Sequence, residues 1–265
     1  MTMALTAMDI GLPSTCSVPV QRGRLTKEAI RNALHPTGKA AKQLAEAIAS
    51  VQIIATVSPD SVAIPASVTT KQINVLEVDI KEDAAPEEFL RSFSAHLGEQ
   101  SKHVSKILYV LHRDDGWMVA AYRNANVHAG IATGVMLFGP LSWDTPYLHL
   151  RGEHLDDVWD SLCAQTALDD HDPHHIDERI AKQMHIRTLE GSLAKLQKAH
   201  NRTTQIATRN RLWEQMAAIR KELSALQGVQ QGPAPNSNIS NAVHLISPKR
   251  TSARSRPSSL TSSQR

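Results

Sequence analysis

Aromatic side chains are scarce in this chain of 265 residues, at 4%. A core built from it must therefore be mostly aliphatic, for which the 41% of hydrophobic residues suffices. Only two cysteines occur, Cys16 and Cys163, far apart and without metal-type spacing. That argues against a disulfide framework and against a cysteine-based zinc site. No apolar run approaches the ~18 residues that a bilayer-spanning helix needs. The stretch from Met1 to Gly11 has no basic leader, and Asp9 interrupts its apolar character, so it does not read as a signal peptide. A reducing cytoplasm is the expected setting. Phosphate-binding glycine loops, the GxSxG nucleophile motif and the protein-kinase signatures are missing as well.

Charge is present but unevenly placed. The net charge is +3, yet residues 229–265 hold five basic and no acidic side chains. The remainder carries 24 basic against 26 acidic residues, so the body is close to neutral. A domain-wide nucleic-acid footprint, which needs a strongly basic face, is not expected.

Periodicity predicts an α+β fold. Helices are expected from Thr26 to Leu34 and from Thr37 to Ser50, the second on the spacing of Ala41, Leu44, Ala45, Ile48 and Val51. Strands follow at Val51–Val57 and Lys71–Lys81, with a short extended piece at Val62–Ile64. Pro86 opens a helix carrying Phe89 and Phe93. The clearest local feature is a hairpin, Lys106–Arg113 and Trp117–Arg123 joined through Asp114-Asp115-Gly116. Its strands are apolar on both faces, as in the middle of a covered sheet. Val135–Phe138 and Tyr147–Leu150 are weaker strand candidates. Leu155, Val158, Trp159 and Leu162 stripe a further helix. Trp117, Trp143 and Trp159 are expected as core anchors.

A polar linker follows, then a long helical region. Leu189, Leu193 and Leu196, and later Leu212, Met216, Ile219, Leu223 and Leu226, keep heptad spacing. The seam lapses near residues 200–210, which predicts a helical hairpin or two stacked segments. The expected organisation is an α+β core with a mixed or antiparallel sheet at 11–166, a linker at 167–176, a helical arm at 177–227 and a disordered basic tail at 228–265.

Taken together, several pieces resemble the bacterial domain of unknown function 4391 family. They are Leu12-Pro13-Ser14-Thr15, Arg24-Leu25-Thr26-Lys27-Glu28, Ser58-Pro59-Asp60, the strand from Ile73 to Lys81, Ala120-Ala121-Tyr122-Arg123, and Trp143 to Leu150 followed by Leu155-Asp156-Asp157-Val158. The resemblance runs from about Ile10 to Leu226. It implies no catalytic residues. It does imply a setting near helicases and DNA methyltransferases of phage-defence or restriction-type clusters, and hence a protein partner of that kind.

Three constellations carry chemistry. Pro59-Asp60 with Asp79-Ile80-Lys81 has the form of a PD-(D/E)xK nuclease motif. There Asp60 and Asp79 would hold Mg²⁺ or Mn²⁺ and Lys81 would help activate water, with Glu77 and Glu28 as further acids. Otherwise these residues are the solvated end of a strand and a turn. His171, Asp172, His174, His175 and Asp177 are metal-ligating types on a linker. In the tail, Lys249, Arg250, Arg254 and Arg256 can meet nucleic-acid phosphates.

The leading expectation is a non-catalytic accessory or adaptor subunit without a cofactor. Leu212, Met216, Ile219, Leu223 and Leu226 would bind the partner or a second copy. The metal nuclease is the alternative, and a DNA- or RNA-binding module the weaker one.

Overall fold

The protein is described by a computed structural model over residues 5–81, 86–100, 105–123 and 134–228. β-branched and aliphatic runs supply six strands: β1 (Arg24–Leu25), β2 (Ile48–Val57), β3 (Gln72–Ile80), β4 (Ser105–Arg113), β5 (Gly116–Arg123) and β6 (Val135–Phe138). They form one mixed sheet in sequential order. Only β3 and β4 run parallel, in register from Gln72 opposite Ser105 to Asp79 opposite His112. Parallel neighbours need a crossover. Here the connection contains a helix, Glu87–Gln100. The β4–β5 turn is tight, Arg113 pairing with Gly116. Gly116 has φ 138°, and a Cβ there would fall 2.3 Å from the Ser142 carbonyl oxygen, so only glycine fits.

The described residues also form seven helices: α1 (Val20–Gly23), α2 (Lys27–Leu34), α3 (Gly38–Glu46), α4 (Glu87–Gln100), α5 (Leu155–Leu168), α6 (Ile176–Arg202) and α7 (Ile206–Gly228). Thr26 caps α2, its hydroxyl accepting from Ala29 N–H. The sheet is buried on both sides. One face presents Leu76, Val78, Tyr109 and Leu111 to Ile30 of α2, Leu44 of α3 and Phe89 of α4. The other presents Val75, Leu108, Val110 and Ala121 to Val158, Trp159 and Leu162 of α5 and to the amino-terminal segment. Tyr109 is fully buried, its hydroxyl bonding Ser94 Oγ at 2.6 Å and donating to Leu90 O at 3.2 Å.

Four expectations change. The helix predicted to Ser50 stops at Glu46, and Ile48 opens β2. The helical spacing misled because Leu44, Ile48 and Val51 reach the same core cluster from two different elements. Leu5, Ala7 and Ile10 are buried in the sheet core, so that core begins before residue 11. Residues 147–150 form no ladder strand; Leu148 N–H is held by Ile10 O at 2.8 Å. Trp143 is 78% exposed and anchors no core, whereas Trp159 is buried.

The arm is an intrachain helical hairpin. α6 and α7 pack on each other, with Ile186, Leu212, Met216 and Leu223 buried along the seam and His185 paired to Glu222 at 2.8 Å. These seam residues belong to neither sheet core, whereas Ile176 and Ile180, at the base of α6, belong to the α5-side core. The base is also fixed by charge. Arg123 at the end of β5 is 7% exposed; its guanidinium donates to Asp160 of α5 at 2.7 Å and to Asp177 of α6 at 2.5 Å. A buried cation is tolerable only with such partners. Arg123→Ala is therefore expected to cost about 3 kcal/mol in urea denaturation, since it leaves two partly buried carboxylates without their cation. A loss below about 1 kcal/mol would show that the network is solvated in solution.

Candidate functional site on the helical arm

The acidic residues read from the sequence do not assemble. Asp79, near the end of β3, lies opposite Ser50, near the start of β2. Asp60 follows the far end of β2, which closes at Val57. Seven strand residues at about 3.3 Å each place the two carboxylates roughly 20 Å apart or more. Lys81 has left the strand. It repels Lys27, whose ammonium is lowered from its ordinary value by burial first and then by Lys81 and Arg31. That places Lys81 beside α2, which covers the face opposite Asp79. Glu28 is exposed on the same helix. Strand register thus sets Asp60 and Asp79 toward opposite ends of the β2–β3 pair, and Lys81 lies beside α2.

The linker histidines are likewise engaged locally. His174 Nδ1 meets Asp172 at 2.6 Å, His175 Nδ1 meets Glu178 at 3.0 Å, Arg179 bonds both Asp170 and the Asp172 carbonyl, and Asp177 is held by Arg123. Among the described residues no three His, Cys, Asp or Glu side chains converge as a metal site. Lys249, Arg250, Arg254 and Arg256 lie outside the described residues.

What surrounds Asp79 instead is a cluster that sequence reasoning missed. Ser50 Oγ donates to its Oδ2, and His112 Nδ1 lies 3.0 Å from its Oδ1. The His112 ring stacks on Trp117 with centroids 4.1 Å apart. Glu77, two residues earlier on the same face, is buried. Burial, and then the Asp79 carboxylate, push the Glu77 carboxyl above the ordinary glutamate range, against the pull of a bond from the Leu5 backbone and of His112. The cluster can hold a proton on Glu77 and orient the His112 ring. The one signal for it was parity: residues 77 and 79 share a strand face, but nothing in the sequence aligns them with residue 112.

The heptad residues proposed for partner binding are placed by the same hairpin. Leu212, Met216 and Leu223 are buried within the chain, and Ile219 and Leu226 are half-buried. Leu212, Met216 and Leu223 are thus packed within the hairpin. The outer face of α7 is different. Trp213 is 59% and Ile206 75% exposed. Seven residues apart, they lie in line along the helix. Arg209 is exposed on the same side, and Arg220, also exposed, donates to Gln197 of α6 at 3.4 Å. Tryptophan and arginine together are the composition of interface hot spots.

The two cysteines are buried and free. Burial pushes the Cys163 thiol up to about 12, so it is a packed thiol rather than a nucleophile. No helix among the described residues is long and apolar enough to cross a membrane.

A mixed, doubly covered sheet with a terminal helical hairpin makes this an α+β protein. The chain belongs to the family described as Domain of unknown function (DUF4391), whose model matches residues 10–223. No curated protein and no solved structure matches the chain.

The buried carboxyl gives a pH signature. A carboxyl raised in the folded state contributes stability that is full below the ordinary glutamate value and is lost as pH rises through the folded one. Glu77→Gln removes that loss. It is expected to melt above the wild type at about pH 7 and together with it at about pH 4, read by thermal denaturation. Equal melting at both pH values would show that Glu77 is not destabilised by burial.

Proposed function

We propose that the protein is a non-catalytic accessory or adaptor subunit of a bacterial phage-defence or restriction-type system, and that it docks on a protein partner through the outer face of α7. The observation that carries this reading is the pair Trp213 and Ile206, exposed on a hairpin whose own seam is already filled. An exposed tryptophan in line with an exposed isoleucine on a surface helix fulfils no folding requirement of the hairpin. Flanking Arg209 suits a partner surface with an acidic group beside an apolar pocket. The family resemblance adds the candidate partners, a helicase or DNA methyltransferase. Two functions are thus divided between the helix faces: Leu212, Met216 and Leu223 hold the arm together, while Trp213 and Ile206 present it.

The division is testable. Trp213→Ala with Ile206→Ala is expected to leave stability within about 0.5 kcal/mol, because both side chains are solvated. The same change is expected to abolish co-purification with a candidate helicase or DNA methyltransferase partner co-expressed with the chain. Met216→Ala is expected to do the reverse, costing about 2–3 kcal/mol by opening a cavity in the seam. Retained co-purification in the Trp213/Ile206 variant would reject this face as the contact. Mg²⁺- or Mn²⁺-dependent DNA or RNA cleavage by the wild type, lost in Asp79→Ala, would reject the non-catalytic reading.

A further inference from the structure

A second surface lies away from the outer face of α7. A cleft of about 300 Å³ opens between β5, residues 139–148, the end of α5 and residues 169–171. Two of its walls are aromatic. Trp117 is braced from one side by the His112 ring. The ring of Tyr147 rests against Gly11, where a Cβ would fall 2.8 Å from it, so the aromatic surface is set by backbone contact. The polar wall is acidic: Asp144, Asp169 and Asp170 all line the cleft. Asp170 is paired with Arg179. The carboxylates of Asp144 and Asp169 have no hydrogen-bond or ion-pair partner among the described residues. His171, also in the wall, keeps a buried Nδ1 without a partner.

Aromatic faces beside unpaired carboxylates suit a cation, above all a guanidinium. It can stack on the rings while its N–H groups reach the acids. The volume accommodates one such side chain rather than a folded surface.

The chain itself supplies an occupant. Residues 229–265 carry Lys249, Arg250, Arg254, Arg256 and Arg265 and no acid, so their charge is complementary to the cleft. They also begin at the right end of the arm. Glu222 of α7 pairs with His185 of α6. Six residues further along α7 is Gly228, and six residues back along α6 is Arg179, so the two lie at about the same level of the antiparallel hairpin. Arg179 is the residue that bonds Asp170 in the cleft wall. The 21 residues from Gly228 to Lys249 can span up to roughly 70 Å, so reach does not limit the contact.

We propose that this cleft is a receptor for an arginine or lysine side chain and that its occupant is the chain's own basic segment, Lys249–Arg256. Docked there, the cations of the segment are withheld from other anions.

The test uses three full-length proteins. These are the wild type, a tail-neutralised variant (Lys249→Gln, Arg250→Gln, Arg254→Gln and Arg256→Gln), and that variant with Asp144→Asn and Asp169→Asn added. Both aspartates are exposed, and matched melting curves verify the fold. A synthetic peptide of residues 247–258 is titrated into each by calorimetry at low ionic strength. A tethered segment competes at an effective concentration of order millimolar, so the tail-neutralised protein is expected to bind the peptide roughly tenfold more tightly than the wild type. The added asparagines are expected to remove that binding, and salt to weaken it. Equal affinity for wild type and tail-neutralised protein would overturn the occupant. Affinity unchanged by the asparagines, or no binding to any of the three, would overturn the cleft.

Discussion

Coverage of the central strands on both faces constrains everything else in this molecule. Ile107 to Leu111 of β4 are all buried, and so are Val75 to Val78 of β3. A strand buried on both faces admits polar side chains only where the layers end or where partners meet them. The polar groups obey this. Glu77, Asp79 and His112 gather at one end of the β3–β4 pair. Lys106 and Arg123 lie at the other, with Asp156 and Asp160 of α5 close enough to act on them. The same coverage explains the parallel β3–β4 pair, whose connection lays α4 on the sheet. Chemistry in this fold is therefore pushed to strand ends, loops and the arm.

How far the sequence could be read follows from which quantities are local. The β4–β5 hairpin was legible because its turn chemistry and its two apolar faces lie within a single short stretch. The α5 stripe and the heptad seam were legible for the same reason. Strand register was not. Pro59-Asp60 and Asp79-Ile80-Lys81 look like one motif when spacing alone is considered. β2 and β3 are antiparallel, however, so a residue just past β2 sits at the opposite end from a residue closing β3. The His112–Asp79 contact depends in turn on the parallel register across α4, which no local pattern encodes. Arg123 stood in a quoted stretch, Ala120-Ala121-Tyr122-Arg123, yet its burial depends on α5 and α6 supplying Asp160 and Asp177 from 37 and 54 residues away.

The arm shows a related ambiguity. Heptad spacing identifies a face that will be buried but not the chain that buries it. Here the turn at residues 203–205 folds α7 back on α6, and the seam is satisfied without a partner. Trp213 then acquires its meaning by subtraction. It follows Leu212 directly, so it points about 100° away from the seam. A tryptophan outside the seam of a satisfied hairpin has no folding task there, which is what turns attention to α7 as a contact surface.

Net charge hides a separation that the fold makes local. A body near neutrality and a basic carboxyl-terminal stretch add up to an unremarkable +3. Within the body, Asp169, Asp170, Asp172, Asp177 and Glu178 occupy the short passage into α6, and two arginines bind part of that charge: Arg123 takes Asp177 and Arg179 takes Asp170. The same passage therefore seats the arm on the sheet and forms one wall of the aromatic cleft. A cation entering the cleft would meet Asp144 and Asp169, beside the Asp170–Arg179 pair at the base of α6. The Asp170–Arg179 pair is the one ion pair that joins the cleft wall to α6 among the described residues.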